Sequence, residues 1–226
     1  MNPAFELSEY QRRLAKVRSA MSDKELDALV IGDPANMNWL TGFDAWSFYV
    51  PQVMLVLHDH PPVWLGRQMD AGSVLLTTHL GAESARPYAE DLVQRDGVHP
   101  MDAIGTSLAE FHLEGKRIGF ESDTYFFSFK AVERLQTKLS GAIWVDADLL
   151  VNWCRAVKSD VEIEAMRGAA RIASHVMTLA VEHIAPGVRQ CDLVSKVLAA
   201  QVSGVDGLCG DTTALCPLIL AGEAAA

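Results

Sequence analysis

The chain has 226 residues, enough for one large or two small domains with a real hydrophobic core. Half of them are hydrophobic, and the formal net charge of −10, with no clustered Lys/Arg, argues against nucleic acid or an anionic membrane as partner. No apolar run is long enough to span a bilayer, and the start, Met1 to Glu9, lacks the basic and apolar segments of a signal peptide, so the expected location is cytoplasmic.

From the N-terminus, Glu9 to about Met21 carries Leu14, Val17 and Met21 at helical spacing. Ala28-Leu-Val-Ile31 reads as a buried strand closed by the turn Gly32-Asp-Pro34, and Ala35 to Leu40 as a short helix ended by Gly42. Val53 to Leu57 and Val63 to Gly66 form a predicted hairpin around His58-Asp-His-Pro-Pro62. Asp70 is placed to cap a helix running to about His79, and Pro100 to His112 is a further helix. Arg117 to Glu121 is a strand, Ser128 to Leu139 a helix, and Ala142 to Asp146 a strand. This alternation predicts an α/β domain of two or three layers around a mixed sheet.

A break follows at Arg155-Ala-Val-Lys-Ser-Asp-Val-Glu-Ile-Glu-Ala-Met166, which divides the expected domains into 1–154 and 155–226. Ser159 and Glu162 have capping-box spacing, in which the serine side chain accepts from the first turn and the glutamate reaches back to the cap. Ile163, Met166, Ala170, Ala173, Met177, Ala180 and Ile184 then recur at steps of three and four, predicting one apolar face on a long helix that Pro186-Gly187 stops. A second helix is expected near 190–203, then a glycine-rich stretch and a strand over Ala214 to Leu220.

Several constellations invite a chemical reading. His58-Asp59-His60 looks like a metal clip, but two imidazoles in a turn with no third ligand nearby read better as solvated loop residues. Gly204, Gly207 and Gly210 follow a helix rather than a strand, so they lack the helix N-terminus of a dinucleotide fingerprint. Asp206 and Asp211 sit beside glycines as turn formers do, and His175 and His183 read as ordinary surface or boundary histidines. Cys154, Cys191, Cys209 and Cys216 are irregularly spaced and form neither a zinc knuckle nor a disulfide framework. The unusual stretch is Asn36 to Gln52, where Phe43, Trp46, Phe48 and Tyr49 are interleaved with Asp44, Ser47 and Gln52. Aromatic rings with a few fixed polar groups suit a small-ligand or subunit surface; a plain aromatic core beneath a loop fits the same residues.

Asn38-Trp-Leu-Thr-Gly42, Arg117-Ile-Gly-Phe-Glu121 and Arg155-x-x-Lys-Ser-x-x-Glu-Ile-x-x-Met-Arg167, in that order, resemble the creatinase/prolidase/aminopeptidase P group of pita-bread hydrolases. Within that group, Asn36 to Gln52, Gly66-Arg-x-Met-Asp-Ala71 and His99-Pro-Met-Asp102 are most similar to the ectoine hydrolase branch, whose members open a cyclic amidine to N-acetyl-2,4-diaminobutyrate. The resemblance implies a creatinase-type N-terminal domain with a mixed sheet, then the first helices and strand of an α+β pita-bread domain. It also implies a homodimer acting on a small molecule, with the N-terminal domain reaching over the partner's active site. Trp46, Tyr49 and Gln52 are then the candidates to contact a bound zwitterion.

The family's catalytic histidine is expected just after a turn such as Ala221-Gly222, and its later acid and histidine positions lie further on, so the chain is expected to be C-terminally incomplete. No catalytic residue and no metal ligand is therefore assigned within it. The branch needs no cofactor; the peptidase and creatinase-like alternative would add, in its peptidase members, a dinuclear metal centre with ligands beyond residue 226. A third reading is a non-catalytic fragment that dimerises.

Overall fold

The computed structural model describes residues 3–209, 217–220 and 222. The chain divides into two compact units, Met1–Val157 and Lys158–Ala226.

In the first unit, β1 (Ala28–Ile31), β2 (Val53–Leu57), β3 (Val63–Arg67), β4 (Ala85–Tyr88), β5 (Arg117–Phe120) and β6 (Ile143–Asp146) make one sheet in the order β4-β3-β2-β1-β5-β6. β1 is antiparallel to β2, and β2 to β3; the pairs β3–β4, β1–β5 and β5–β6 are parallel, so the sheet is mixed as expected. The helices are α1 (Leu7–Asp23), α2 (Pro34–Thr41), α3 (Ala71–Thr77), α4 (Pro100–Ala109), α5 (Phe129–Lys138) and α6 (Leu150–Ala156).

Side chains alternate across the strands and create a core on each face. Leu29, Ile31, Met54, Val56 and Trp64 pack with Val17 and Met21 of α1, Met37 and Leu40 of α2, Val74 of α3 and Val151 of α6. Val30, Val53, Leu55, Val63, Leu65 and Ile118 pack with Met101, Ile104 and Leu108 of α4 and Ala131 and Leu135 of α5. Burial on both faces explains why β1 and β2 read as continuous apolar runs rather than as an alternation. The unit is therefore three-layered.

Local chemistry sets the helix that matters most. Asp33 precedes α2 and accepts from Ala35 N–H at 2.7 Å, and Pro34 opens the helix with its preset φ. Gly42 ends it at φ +85°, donating its N–H to Asn38 O at 2.7 Å.

Two expectations are corrected, and two elements went unpredicted. Asp70 does not cap α3, because Gln68–Asp70 is already a 3-10 turn and Asp70 has helical backbone angles. α4 stops at Ala109, and His112 takes a left-handed φ of 53° that cannot continue it. β4 was not anticipated; Arg86-Pro87 hides a strand at the sheet edge, where proline is tolerated. α6 was not anticipated either; it precedes and runs into the break at Arg155, and it buries Leu150, Val151 and Cys154.

The second unit contains α7 (Asp160–His183) and α8 (Gln190–Ser203). The capping box is formed: Glu162 N–H donates to Ser159 Oγ at 3.4 Å, and Ser159 N–H to Glu162 Oε2 at 2.7 Å. The apolar face overlaps the predicted one only at Ala180. Ile172, Val176, Leu179 and Ala180 meet Leu193, Val197 and Ala200 of α8, whereas Met166, Ala170, Ala173, Met177 and Ile184 are exposed. α7 carries apolar residues over more than one stripe, so periodicity alone picks out a face without saying which stripe is covered. Of the predicted strand 214–220, residues 217–220 are irregular and 214–216 lie outside the described residues, as do Gly210, Asp211 and Cys216.

Candidate functional site

Gly42 turns the chain out of α2 into the aromatic stretch. Phe43 folds inward against Trp64 with ring centroids 5.2 Å apart. The next rings face outward, with Trp46 69% and Tyr49 58% exposed. Phe48 is their hub: its ring centroid lies 5.9 Å from Trp46, 5.7 Å from Tyr49 and 6.4 Å from Phe126, each edge-on. Phe126 comes from the loop after β5, so two loops build the cluster. Tyr49 lies beside the Arg67 guanidinium, which is 3.3 Å from Glu90 and 3.8 Å from Asp70.

Gln52, three residues after Tyr49, is buried, 5% exposed. Its Oε1 accepts from Trp64 Nε1 at 3.0 Å, and its Nε2 is a buried donor with no hydrogen-bond partner among the described residues. The stretch thus combines the two arrangements its residues allow: Phe43 is core, while Trp46 and Tyr49 are surface. Trp46 and Tyr49 share one exposed cluster, and Gln52 lies apart in the interior.

Beside this stretch is a buried polar network centred on Glu121. Glu121 directly follows β5 and is 2% exposed. Its Oε2 accepts from the N–H groups of Gly32 at 2.9 Å and Asp33 at 3.0 Å. Its Oε1 accepts from Asn36 Nδ2 at 2.5 Å. The same Nδ2 donates to Asn152 Oδ1 at 2.8 Å, and Asn36 Oδ1 accepts from Arg155 Nη1 at 2.6 Å. Burial pushes the Glu121 carboxyl up to about 7, against the pull of its hydrogen bonds. The available signal in the sequence was a glutamate directly following the apolar residues Ile118-Gly-Phe120 of a strand.

The histidine turn lines a groove of about 320 Å³ with Asp27, Asp59, Phe111, His112 and Lys116. His58 Nε2 bonds Leu26 O at 2.8 Å and His60 Nδ1 bonds Pro61 O at 2.7 Å. Among the described residues, no three His, Cys, Asp or Glu side chains are arranged to hold a metal ion. A dinuclear centre therefore has no ligand set among them, and no step is assigned to one. Cys154, Cys191 and Cys209 are free thiols, with Cys154 buried.

The profile of the creatinase/prolidase N-terminal domain matches residues 13–157. The chain belongs to the creatinase/prolidase N-terminal domain family. As a member it is 41% identical to the ectoine hydrolase of Halomonas elongata over 98% of this chain and 57% of that protein. It is 40% identical to an uncharacterised hydrolase/peptidase of Sinorhizobium fredii over 91% of this chain and 53% of that protein. In fold it is similar to a prolidase from Thermococcus sibiricus, with a TM-score of 0.70 and 14% identity over 92% of this chain and 52% of that one. The chain spans about half the length of the curated relatives it matches. Among the described residues no helix is long and apolar enough to cross a membrane.

Proposed function

We propose that this family member belongs to an ectoine-hydrolase-like enzyme that hydrolyses the cyclic amidine of ectoine, releasing N-acetyl-2,4-diaminobutyrate. The observation that carries the reading is 41% identity over 98% of the chain to a protein bearing that name. In this reading residues 1–154 are the creatinase-type domain and 155–226 open a pita-bread catalytic domain. The enzyme is a cytoplasmic homodimer in which the aromatic cluster faces the partner's substrate.

The chemistry of the cluster is compatible with such a ligand. An amidinium is a delocalised cation, and an exposed indole and phenol offer it electron-rich faces. Trp46 and Tyr49 are assigned that role, since both rings are free to be covered. Gln52 is assigned the ligand's carboxylate through its Nε2, which has no hydrogen-bond partner among the described residues; because the residue is buried, this role requires its present cover to open. General acid/base groups are not assigned among the described residues.

A second reading is supported by the 40% identity to a hydrolase/peptidase: a peptidase acting on a different small substrate, with a metal centre. The test uses a chain extending over the relatives' full length, assayed with ectoine and with Xaa-Pro dipeptides, with and without a chelator. Ring opening of ectoine unaffected by chelation supports the first reading. Cleavage of Xaa-Pro bonds that a chelator abolishes replaces it with the second. If neither substrate is turned over, the non-catalytic dimerisation reading takes their place, and equilibrium sedimentation then has to show a dimer.

A further inference from the structure

The Glu121 network joins segments remote in sequence: the turn after β1, the end of β5, and α6. Its polarity is unambiguous. A carboxylate only accepts and a guanidinium only donates, so Glu121 on one side and Arg155 on the other fix which way the Asn36 amide points. Everything aimed at Glu121 is a donor: two backbone N–H groups on Oε2 and the amide of Asn36 on Oε1. This is the bonding pattern of the ionised carboxylate.

We infer that Glu121, Asn36 and Arg155 form a proton-operated clasp, in which ionised Glu121 holds the Asn36 amide in the orientation that binds Arg155, and a proton on Glu121 turns that amide over and releases Arg155. The proton has one place to go. Oε2 faces N–H groups of the main chain, which cannot reverse, whereas Oε1 faces an amide that can. With Oε1 protonated, its O–H needs an acceptor, and a half-turn of the Asn36 side chain supplies Oδ1; the Asn152 amide, whose Oδ1 accepts from Asn36 Nδ2 before the turn, rotates with it so that its own Nδ2 donates to Asn36 Oδ1. The half-turn points Asn36 Nδ2 at Arg155, donor against donor, and their bond is lost.

Glu121 is then a positioning residue for two elements. Through Gly32 and Asp33 it grips the entry to α2, whose far end delivers the aromatic stretch. Through Asn36 it grips α6, where the first unit ends. The charged groups facing it are Asp33, whose carboxylate opposes ionisation, and Arg155, which reaches it through Asn36. The clasp works near neutrality because burial holds the Glu121 carboxyl at about 7. It does not depend on which substrate the enzyme takes.

The test is NMR on the isotope-labelled 226-residue chain from pH 5.5 to 8.5, following the side-chain amide of Asn36 and the guanidinium of Arg155. Both signals are expected to move together with one midpoint near neutrality. Glu121→Gln should abolish both transitions, leaving Arg155 at its acid-form position throughout. Arg155→Gln, which leaves the carboxylate in place, should shift the Asn36 midpoint upward, because the cation that favours ionisation is gone. Signals independent of pH in the unaltered chain would overturn the clasp. So would an Asn36 transition that persists in Glu121→Gln, or an Arg155→Gln midpoint that stays put or falls.

Discussion

Within seven residues the chain passes from core to surface, and single substitutions separate the two roles. Phe43 is buried against Trp64, so Phe43→Ala removes a packed ring and should destabilise the first unit by about 3–5 kcal/mol. Trp46→Ala and Tyr49→Ala remove exposed rings and should each change stability by no more than about 0.5 kcal/mol. Urea denaturation measures all three. A large loss at Trp46 or Tyr49 would make them core residues and remove the reason for assigning them to a ligand. If stability is spared, the same two variants in the full-length enzyme should raise KM for ectoine while leaving the fold intact; unchanged kinetics would remove the assignment. The sequence identified the aromatic cluster but could not sort its members, because the cluster has no period that separates an inward ring from an outward one. Gln52 shows the same limit. Its amide type suits ligand binding, yet its place is set by Trp64 Nε1, which needs a buried acceptor.

Elements bounded by strong chemistry were readable, and those bounded by tertiary context were not. The turn Gly32-Asp-Pro34 announced both the end of β1 and the start of α2, and Gly42 announced its end. Gly42 also shows why that position allows little else: an added Cβ would lie 2.7 Å from Thr77 O and 2.8 Å from the Tyr10 hydroxyl, at a φ that side chains disfavour. Gly42→Ala should cost about 1–3 kcal/mol and disturb the delivery of the aromatic stretch. β4 was invisible because its pairing with β3, not its residues, makes it a strand. α6 was invisible because its buried residues complete a core built by distant elements. On α7 the start was legible and the buried face was not. Ser159→Ala removes one half of the capping box and should weaken the first turn by about 1 kcal/mol, seen as roughly fivefold faster amide exchange there. Exchange in α4 and α5 should not respond, since they belong to the other unit; a matching acceleration there would mean that the two units do not open independently.

For the molecule as a whole, the buried carboxyl of Glu121 makes stability depend on pH in an unusual direction. Most carboxylates that gain partners on folding have lowered pKa values, and they stabilise the fold above their unfolded value. Glu121 is raised from 4.5 to about 7 because burial outweighs its hydrogen bonds. The folded state therefore holds a proton that the unfolded chain has already released. Its stabilising contribution is complete below about 4.5 and is lost as pH rises through about 7. A shift of this size corresponds to at most about 3 kcal/mol between the two limits. His99 acts in the opposite sense: burial lowers its pKa, so it costs stability as pH falls below its unfolded value of 6.5. Asp27 and Asp192 are lowered by hydrogen bonds, from Arg117 N–H and Arg189, and lose their contribution only in more acidic solution. The net charge of −10 adds self-repulsion that grows as the remaining groups ionise. The informative quantity is therefore the difference between the unaltered chain and Glu121→Gln across pH 5.5 to 8.5. The unaltered first unit should lose more stability than the variant as pH rises through that window, because the glutamine has no proton to release. Denaturant midpoints at each pH, followed by a signal from the first unit, measure it. Parallel pH profiles would mean that Glu121 ionises as an ordinary carboxyl, and the sheet, α2 and α6 would then be joined by a charge that never changes.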